Sequence, residues 1–189
     1  MSDRRITLRP ATAEDVPALV SLMDAVLGWL VERGRTEQWG TVPFSRIPGF
    51  PERVADWTSQ GVITLAERDH ACVGLLAAAP MVPPRIPAGL VTEGAMFVHT
   101  VMSDRGPGGR GVGSALMEEA ERRARAYGAP ALALDHWAGS AELARVYDGF
   151  GYVLAGECED EQEDGRKVRN AVRVRRLDPQ SGGSVPRSS

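Results

Sequence analysis

The chain has 189 residues, 43% of them hydrophobic and 25% charged, with a formal net charge of −3, which suits one hydrophobic core and one domain. That balance lacks the basic footprint that a phosphate backbone demands, so nucleic acid is not an expected partner. The start MSDRRITLRP has no apolar stretch and no later run approaches the roughly 20 apolar residues of a membrane span, so the expectation is a cytoplasmic protein with no membrane partner.

Taken in chain order, Ile6 to Arg9 is strand-like, and Thr12 with Asp15 three residues on marks the start of a helix with apolar positions Val16, Leu19, Val20, Met23, Val26, Leu27 and Leu30, ended by Gly34. Pro51 to Gln60 reads as a second helix stopped by Gly61. Val62 to Glu67 and Ala71 to Ala79, separated by Arg68, Asp69 and His70, read as an antiparallel hairpin. After the proline-rich MVPPRIPAG, Gly94 to Met102 is a strand.

A glycine-rich loop and a helix from Val112 to Tyr127 follow. Its expected buried stripe is Val112, Leu116, Ala120, Ala124 and Tyr127, with Glu118/Arg122, Glu119/Arg123 and Glu121/Arg125 paired at four-residue spacing on the wet face. Ala131 to Asp135 is a strand, Ala141 to Phe150 a helix closed by Gly151, and Tyr152 to Gly156 and Val168 to Val174 are strands. Between the last two, Glu157, Glu159, Asp160, Glu161, Glu163 and Asp164 read as a solvated acidic loop, with steering of a cationic acceptor as the functional alternative.

Cys72 sits in an apolar run and is expected in the core; Cys158 sits among acids and is expected at the surface. With no CxxC and no His/Cys cluster at ligand spacing, no metal is expected, and cytosolic redox conditions argue against a disulfide. The tail from Pro179 to Ser189 is low in complexity and is expected to be disordered.

The loop from Arg105 to Ser114 joins a strand to a helix N-terminus, where free N–H groups and the helix dipole favour an anion. It reads as a pyrophosphate cradle, against the plainer reading of a tight turn. A Walker loop needs Gly-Lys-Ser/Thr, and the segment has no lysine. Gly106, Gly108 and Gly111 do satisfy G-x-G-x-x-G, and Asp135 stands where a ribose-binding acid of an NAD(P)-type protein would sit. Against that, about a hundred residues precede the loop and too few follow to complete a doubly wound sheet.

Gly109-Arg110-Gly111-Val112-Gly113, the preceding Val98-His99-Thr100-Val101-Met102-Ser103 and the later Tyr147-Asp148-Gly149-Phe150-Gly151-Tyr152 resemble the GNAT superfamily of N-acetyltransferases, in order and spacing, from about Ile6 to Val174. The segment from Trp29 to Trp39 resembles a subgroup of small bacterial members. Two positions depart from the pattern: Gly108 stands where an Arg or Gln is frequent, and Ser140 where many members have an asparagine near the coenzyme. The resemblance implies an α/β (α+β) domain over residues 1–178, with about six or seven strands in a mixed, mostly antiparallel sheet and about four helices. It further implies acetyl-CoA as co-substrate, Val101 and Ser103 on the pantetheine arm, and Gly108, Gly109, Arg110, Gly111, Val112, Gly113 and Ser114 on the pyrophosphate. The expected partner is a small-molecule or peptide amine, and a homodimer is compatible with the reading.

Acyl transfer from a thioester to an amine needs a polarised carbonyl, a neutral amine and a proton for the thiolate. Strand N–H groups near Val101 are candidates for the first. By resemblance Tyr147 is the acid, although Tyr147 and Phe150 at i and i+3 also read as a core stripe. Alternation puts His99 on one strand face with Phe97 and Val101, as a base or as a buried core histidine; His136 and Glu93 are weaker candidates. Trp29, Trp39, Trp57, Phe97 and Trp137 could line an acceptor pocket, Trp29 and Trp39 foremost. The same fold could also bind acyl-CoA without turnover.

Overall fold

A computed structural model describes residues 5–161 and 165–178. The expected tail, with Glu163 and Asp164, lies outside the described residues. Thr7–Pro10 (β1) leads to the Thr12–Asp15 capping box, whose carboxylate accepts from the Thr12 N–H at 2.7 Å and is gripped by Arg9 at 2.7 Å. That guanidinium holds the Asp15 carboxyl well below the usual carboxylate range. A short 3₁₀ turn then opens α1 (Val16–Val31), followed by α2 (Phe50–Ser59).

Ile63–Arg68 (β2) and Ala71–Ala79 (β3) form the hairpin. Its two-residue turn is Asp69-His70, both at positive φ (53° and 64°), the twist that a tight hairpin requires. Met96–Ser103 (β4), Val112–Tyr127 (α3), Ala131–Trp137 (β5), Ala141–Gly149 (α4), Val153–Glu161 (β6) and Lys167–Arg176 (β7) complete the order. The strands make one seven-stranded sheet, β1-β2-β3-β4-β5-β7-β6, antiparallel throughout except for β4 against β5.

Both faces are covered, which is why β3 reads as an unbroken apolar run. Leu75 and Ala77 point to α1 and α2, where they meet Leu19, Val26 and Val54. Leu76 and Ala78 point the other way, into the stripe Val112, Leu116, Ala120 and Ala124 of α3. Farther along the first face the β3–β4 connection supplies Ile86, which packs with Phe97, Ala133 and Val172.

Four expectations are corrected. Tyr127 is exposed: Gly128 closes α3 in the left-handed conformation (φ 80°), and Ala129, bonded back to the Ala124 carbonyl at 2.9 Å, takes the buried place instead. The acidic run from Glu157 to Glu161 is strand, not loop, because β7 supplies cations opposite: Arg169 to Glu157 at 3.6 Å and Lys167 to Glu159 at 3.7 Å. Alternation along β6 turns Cys158 inward onto Phe97, Ala133 and Val172, while Cys72, near the hairpin turn, is only half-buried. Of the α3 ion pairs only Glu121–Arg125 forms as expected; Arg122 turns to Glu119 at i−3.

Arg123 leaves the wet face altogether. It donates to the carbonyls of Val62 (2.8 Å), Gly61 (2.9 Å) and Ala78 (3.1 Å), tying α3 to the ends of β2 and β3. Arg123→Met removes these charged hydrogen bonds and leaves carbonyls partly buried, so it is expected to lower unfolding stability by about 1–3 kcal/mol, measured as a urea midpoint shift at constant m. An unchanged midpoint would show the clasp to be idle.

Candidate functional site

β4 and β5 run together only for Met96–Val98 beside Leu132–Leu134. The next residue of β4, His99, is extra: Ala78 pairs with Val98 and Ala77 with Thr100, so His99 forms a bulge. A bulge bends its strand and increases the local twist. Past it β4 stays with β3 and β5 stays with β7, and the sheet opens into a cleft whose vertex lies at His99 and Asp135. Main-chain groups of residues 99–103 on that side have no strand partner among the described residues, which is the condition for offering N–H groups to a ligand's carbonyl.

The bulge also resets the alternation. Phe97 belongs to the cluster under the β3–β4 connection, but Val101 packs with the α3 cluster, so the expected common face for Phe97, His99 and Val101 does not exist. His99 lies between Phe97 (5.1 Å between ring centroids) and Trp57 of α2 (5.2 Å), and its Nε2 is buried with no partner among the described residues. Burial, reinforced by the Arg85 guanidinium, pushes its pKa down to about 4. Phe97 is fully enclosed and presents no surface to an acceptor.

Tyr147 occupies the opposite face. Its ring stacks on His136 (5.4 Å) and meets Tyr152 edge-on (6.0 Å), and burial pushes its hydroxyl up to about 12. His136 is locked as a support: its Nδ1 donates to the Trp137 carbonyl at 2.9 Å, so its Nε2 accepts from Arg173 at 2.9 Å, and Arg173 is held in turn by Asp148 at 2.5 Å. With both nitrogens engaged, His136 has no site for an acceptor's proton. Glu93 is exposed on the β3–β4 connection.

Asp135 is bound by Arg85 (2.8 and 3.1 Å) and by the Asn170 amide (2.9 Å). It is therefore a fixed acid at the vertex, and the mostly antiparallel sheet around it lacks the doubly wound order that the dinucleotide reading needs. Sequence patterning did not single out Arg85, and no local signal marks it.

In the glycine loop the glycines separate by cause. A Cβ on Gly109 would lie 1.8 Å from the Asp104 carbonyl oxygen, and Gly111 sits at φ 77° just before α3, so the chain path itself demands both. Gly113, inside the first helical turn, faces open space and has no such need. Val112 is fully buried and offers only its N–H, whereas Arg110 and Ser114 are exposed and Gly108 is half-exposed. The first-turn N–H groups have no intrahelical partner. Val101 and Ser103 are half-buried along the cleft, and the Ser140 hydroxyl caps α4 by accepting from the Leu143 N–H at 3.1 Å.

Of the tryptophans, Trp29 at the end of α1 carries Arg33 on its ring (4.0 Å) and Arg105 (5.0 Å). Trp39 braces Phe44 against the α1–α2 core, and Trp137 is half-buried at the end of β5. A cavity of about 1120 Å³, lined by Ala18, Leu22, Cys72, Gly108 and Arg110 among others, lies between α1 and the glycine loop, away from the vertex. Among the described residues no group of His, Cys, Asp and Glu converges as metal ligands, and no helix is long and apolar enough to cross a membrane.

The depressed His99 pKa has a definite consequence for stability. An unfolded histidine titrates near 6.5, so between about 6.5 and about 4 the unfolded chain binds the extra proton and stability falls as pH is lowered. The His99→Gln protein should therefore show a flatter decline of Tm across that interval than the wild type. Parallel curves would place His99 in a more solvated setting than this.

The Acetyltransferase (GNAT) family model matches residues 23–152. No curated protein matches the chain. Among solved structures, a GNAT-family acetyltransferase of Listeria monocytogenes 4b F2365 is similar with a TM-score of 0.69 at 20% identity, over 91% of this chain and 95% of that one. The PaiA N-acetyltransferase of Thermoplasma acidophilum, in complex with coenzyme A, gives 0.67 at 12% identity over 92% and 99%. yncA, a putative acetyltransferase of Salmonella typhimurium with acetyl-CoA, gives 0.64 at 15% identity over 97% and 99%. These identities speak for the fold alone, while the family model spans well over half of the sequence: the chain belongs to the GNAT family of acetyltransferases.

Proposed function

We propose that the protein transfers an acetyl group from acetyl-CoA to a primary amine by direct attack within a ternary complex. The observation that carries this reading is the cleft opened at His99, which runs from unpaired β4 main chain toward the N-terminus of α3. The described relatives support it, since PaiA is described with coenzyme A and yncA with acetyl-CoA.

The pyrophosphate lies within the segment 108–114, on the N–H groups of Gly108, Gly111 and the first turn of α3, with Gly113 leaving room for it. The pantetheine arm follows β4 past Val101 and Ser103. Main-chain N–H groups near Val101 polarise the thioester carbonyl, the amine nitrogen bonds to the carbonyl carbon, and the carbon–sulfur bond breaks. The amine loses one proton and the thiolate gains one. A Tyr147 hydroxyl near 12 stays protonated at neutral pH and donates a hydrogen bond to the leaving sulfur; full transfer to a thiolate whose thiol titrates near 8.5 is uphill by roughly 3–4 pKa units. A neutral His99 accepts a hydrogen bond from the amine or an intervening water, but its low basicity leaves the ammonium proton to the solvent before attack. The acceptor approaches from the His99 side, with Trp29 and Trp137 at the rim.

Acetyl-CoA is expected to raise Tm, and Gly113→Glu to abolish the rise by placing volume and charge on the phosphate path without backbone strain. Gly106→Ala, which lies ahead of residues 108–114 at an ordinary negative φ, is the control. An unchanged coenzyme dissociation constant for Gly113→Glu would remove the cradle, and binding without thiol release across an amine panel would leave an acyl-CoA-binding protein without turnover.

Tyr147→Phe keeps the ring on His136 and Tyr152, so fold and coenzyme affinity should persist while turnover falls by about 10²-fold or less. The pH–rate profile should follow the acceptor's own ammonium pKa, with no enzyme limb near 6.5. Equal turnover in Tyr147→Phe with chemistry rate-limiting would make Tyr147 a packing residue.

A further inference from the structure

A loop built largely of glycine has few side chains to decide which way its peptide groups face, yet an anion site works only if N–H groups, not carbonyls, line it. In this chain the decision comes from outside the loop. Arg68, the last residue of β2, lies at the hairpin turn, paired with Ala71. Its Nη1 donates to the Gly108 carbonyl at 2.6 Å and lies 3.5 Å from that of Pro107, while its Nη2 donates to the Arg110 carbonyl at 2.9 Å. One planar fork thus gathers the carbonyls of the loop on the side of the α1 cavity, which Arg68, Pro107, Gly108 and Arg110 line together.

Peptide planarity converts this into an arrangement of donors. In a trans peptide a carbonyl and the following N–H point in opposite directions. Holding the Arg110 carbonyl toward Arg68 therefore turns the N–H of Gly111 away from it; neither this N–H nor that of Gly108, which follows the Pro107 carbonyl, has an acceptor among the described residues. Those two join the unpaired first-turn N–H groups of α3 on the other side of the loop. The Gly109 N–H, by contrast, is used within the turn, donating to the Gly106 carbonyl at 3.1 Å.

We infer that Arg68 is a positioning residue for the coenzyme, one that acts on the pyrophosphate through the loop by fixing the direction of its peptide groups. The inference rests on the acetyl-CoA reading above, but it makes a demand of its own: the effect of Arg68 is confined to the part of the donor that contains the pyrophosphate.

The test compares wild type, Arg68→Met and Arg68→Lys with two donors, acetyl-CoA and S-acetylpantetheine, which carries the thioester arm without pyrophosphate or nucleotide. Arg68→Met is expected to raise the acetyl-CoA KM and the coenzyme A dissociation constant by about tenfold or more, with kcat within about twofold. With S-acetylpantetheine, kcat/KM should stay within about twofold of wild type. Arg68→Lys, which keeps the charge and can reach one carbonyl, should recover part of the affinity, and it carries the comparison alone if methionine costs the fold. Equal losses with both donors, or an unchanged coenzyme dissociation constant in a folded variant, would overturn the inference. Wild-type protein that turns over S-acetylpantetheine but binds no coenzyme A would overturn it too while leaving acyl transfer standing; wild type inert toward both would sink the acetyl-CoA reading itself.

Discussion

Everything that makes this molecule a candidate catalyst depends on the parting of two strands. Among the described residues β4 and β5 are the one parallel pair in an otherwise antiparallel sheet, and they share only the register Met96–Leu132 to Val98–Leu134. An extra residue at His99 then bends β4 toward β3, and β5 follows β7. Sheets normally satisfy their main chain within themselves; here one central edge is left open inside a covered core. A cleft of this kind is costly unless something polar occupies it, and the adjoining helix N-terminus has the same need.

The electrostatics of the cleft are those of a site that holds its charges rather than shuttling protons. His99 on one face is kept neutral by burial and by Arg85; Tyr147 on the other is kept protonated by burial. His136 is pinned in one tautomer by Trp137 and Arg173, and Asp135 is bound by Arg85 and Asn170. Such a set suits a reaction in which the nucleophile arrives already neutral and the leaving thiolate is a modest base, because hydrogen bonds from fixed groups then suffice.

Legibility in the sequence tracked the range of the signal. α3 was readable to its ends because its stripe, its glycine stop and its glycine start are all local, and the hairpin announced itself by two strand-forming runs around a short polar break. The GNAT-like motif was readable because its residues are contiguous. The bulge was not: Val98-His99-Thr100 alternates as any strand would, and only pairing against Ala77 and Ala78 shows that one residue is surplus, which is why Val101 was placed on the wrong face. Arg68 and Arg123 were hidden for a related reason. A charged residue at a strand end or on a helix looks solvated until the carbonyls that it clasps, some 40 and 61 positions away in the chain, are brought to it. Likewise the acids of β6 read as loop because the cations that make them a strand belong to β7.

The central claim is that the open edge of β4 and the turned-out N–H groups of the loop form one continuous seat for a thioester coenzyme. Backbone amide shifts followed by NMR during titration with coenzyme A test this most directly. The account predicts that the shifts concentrate in residues 99–103 and 108–114, with the amides around Ala18, Leu22 and Cys72, on the other walls of the α1 cavity, little moved. Perturbations centred on Ala18, Leu22 and Cys72, with residues 99–103 unmoved, would contradict it.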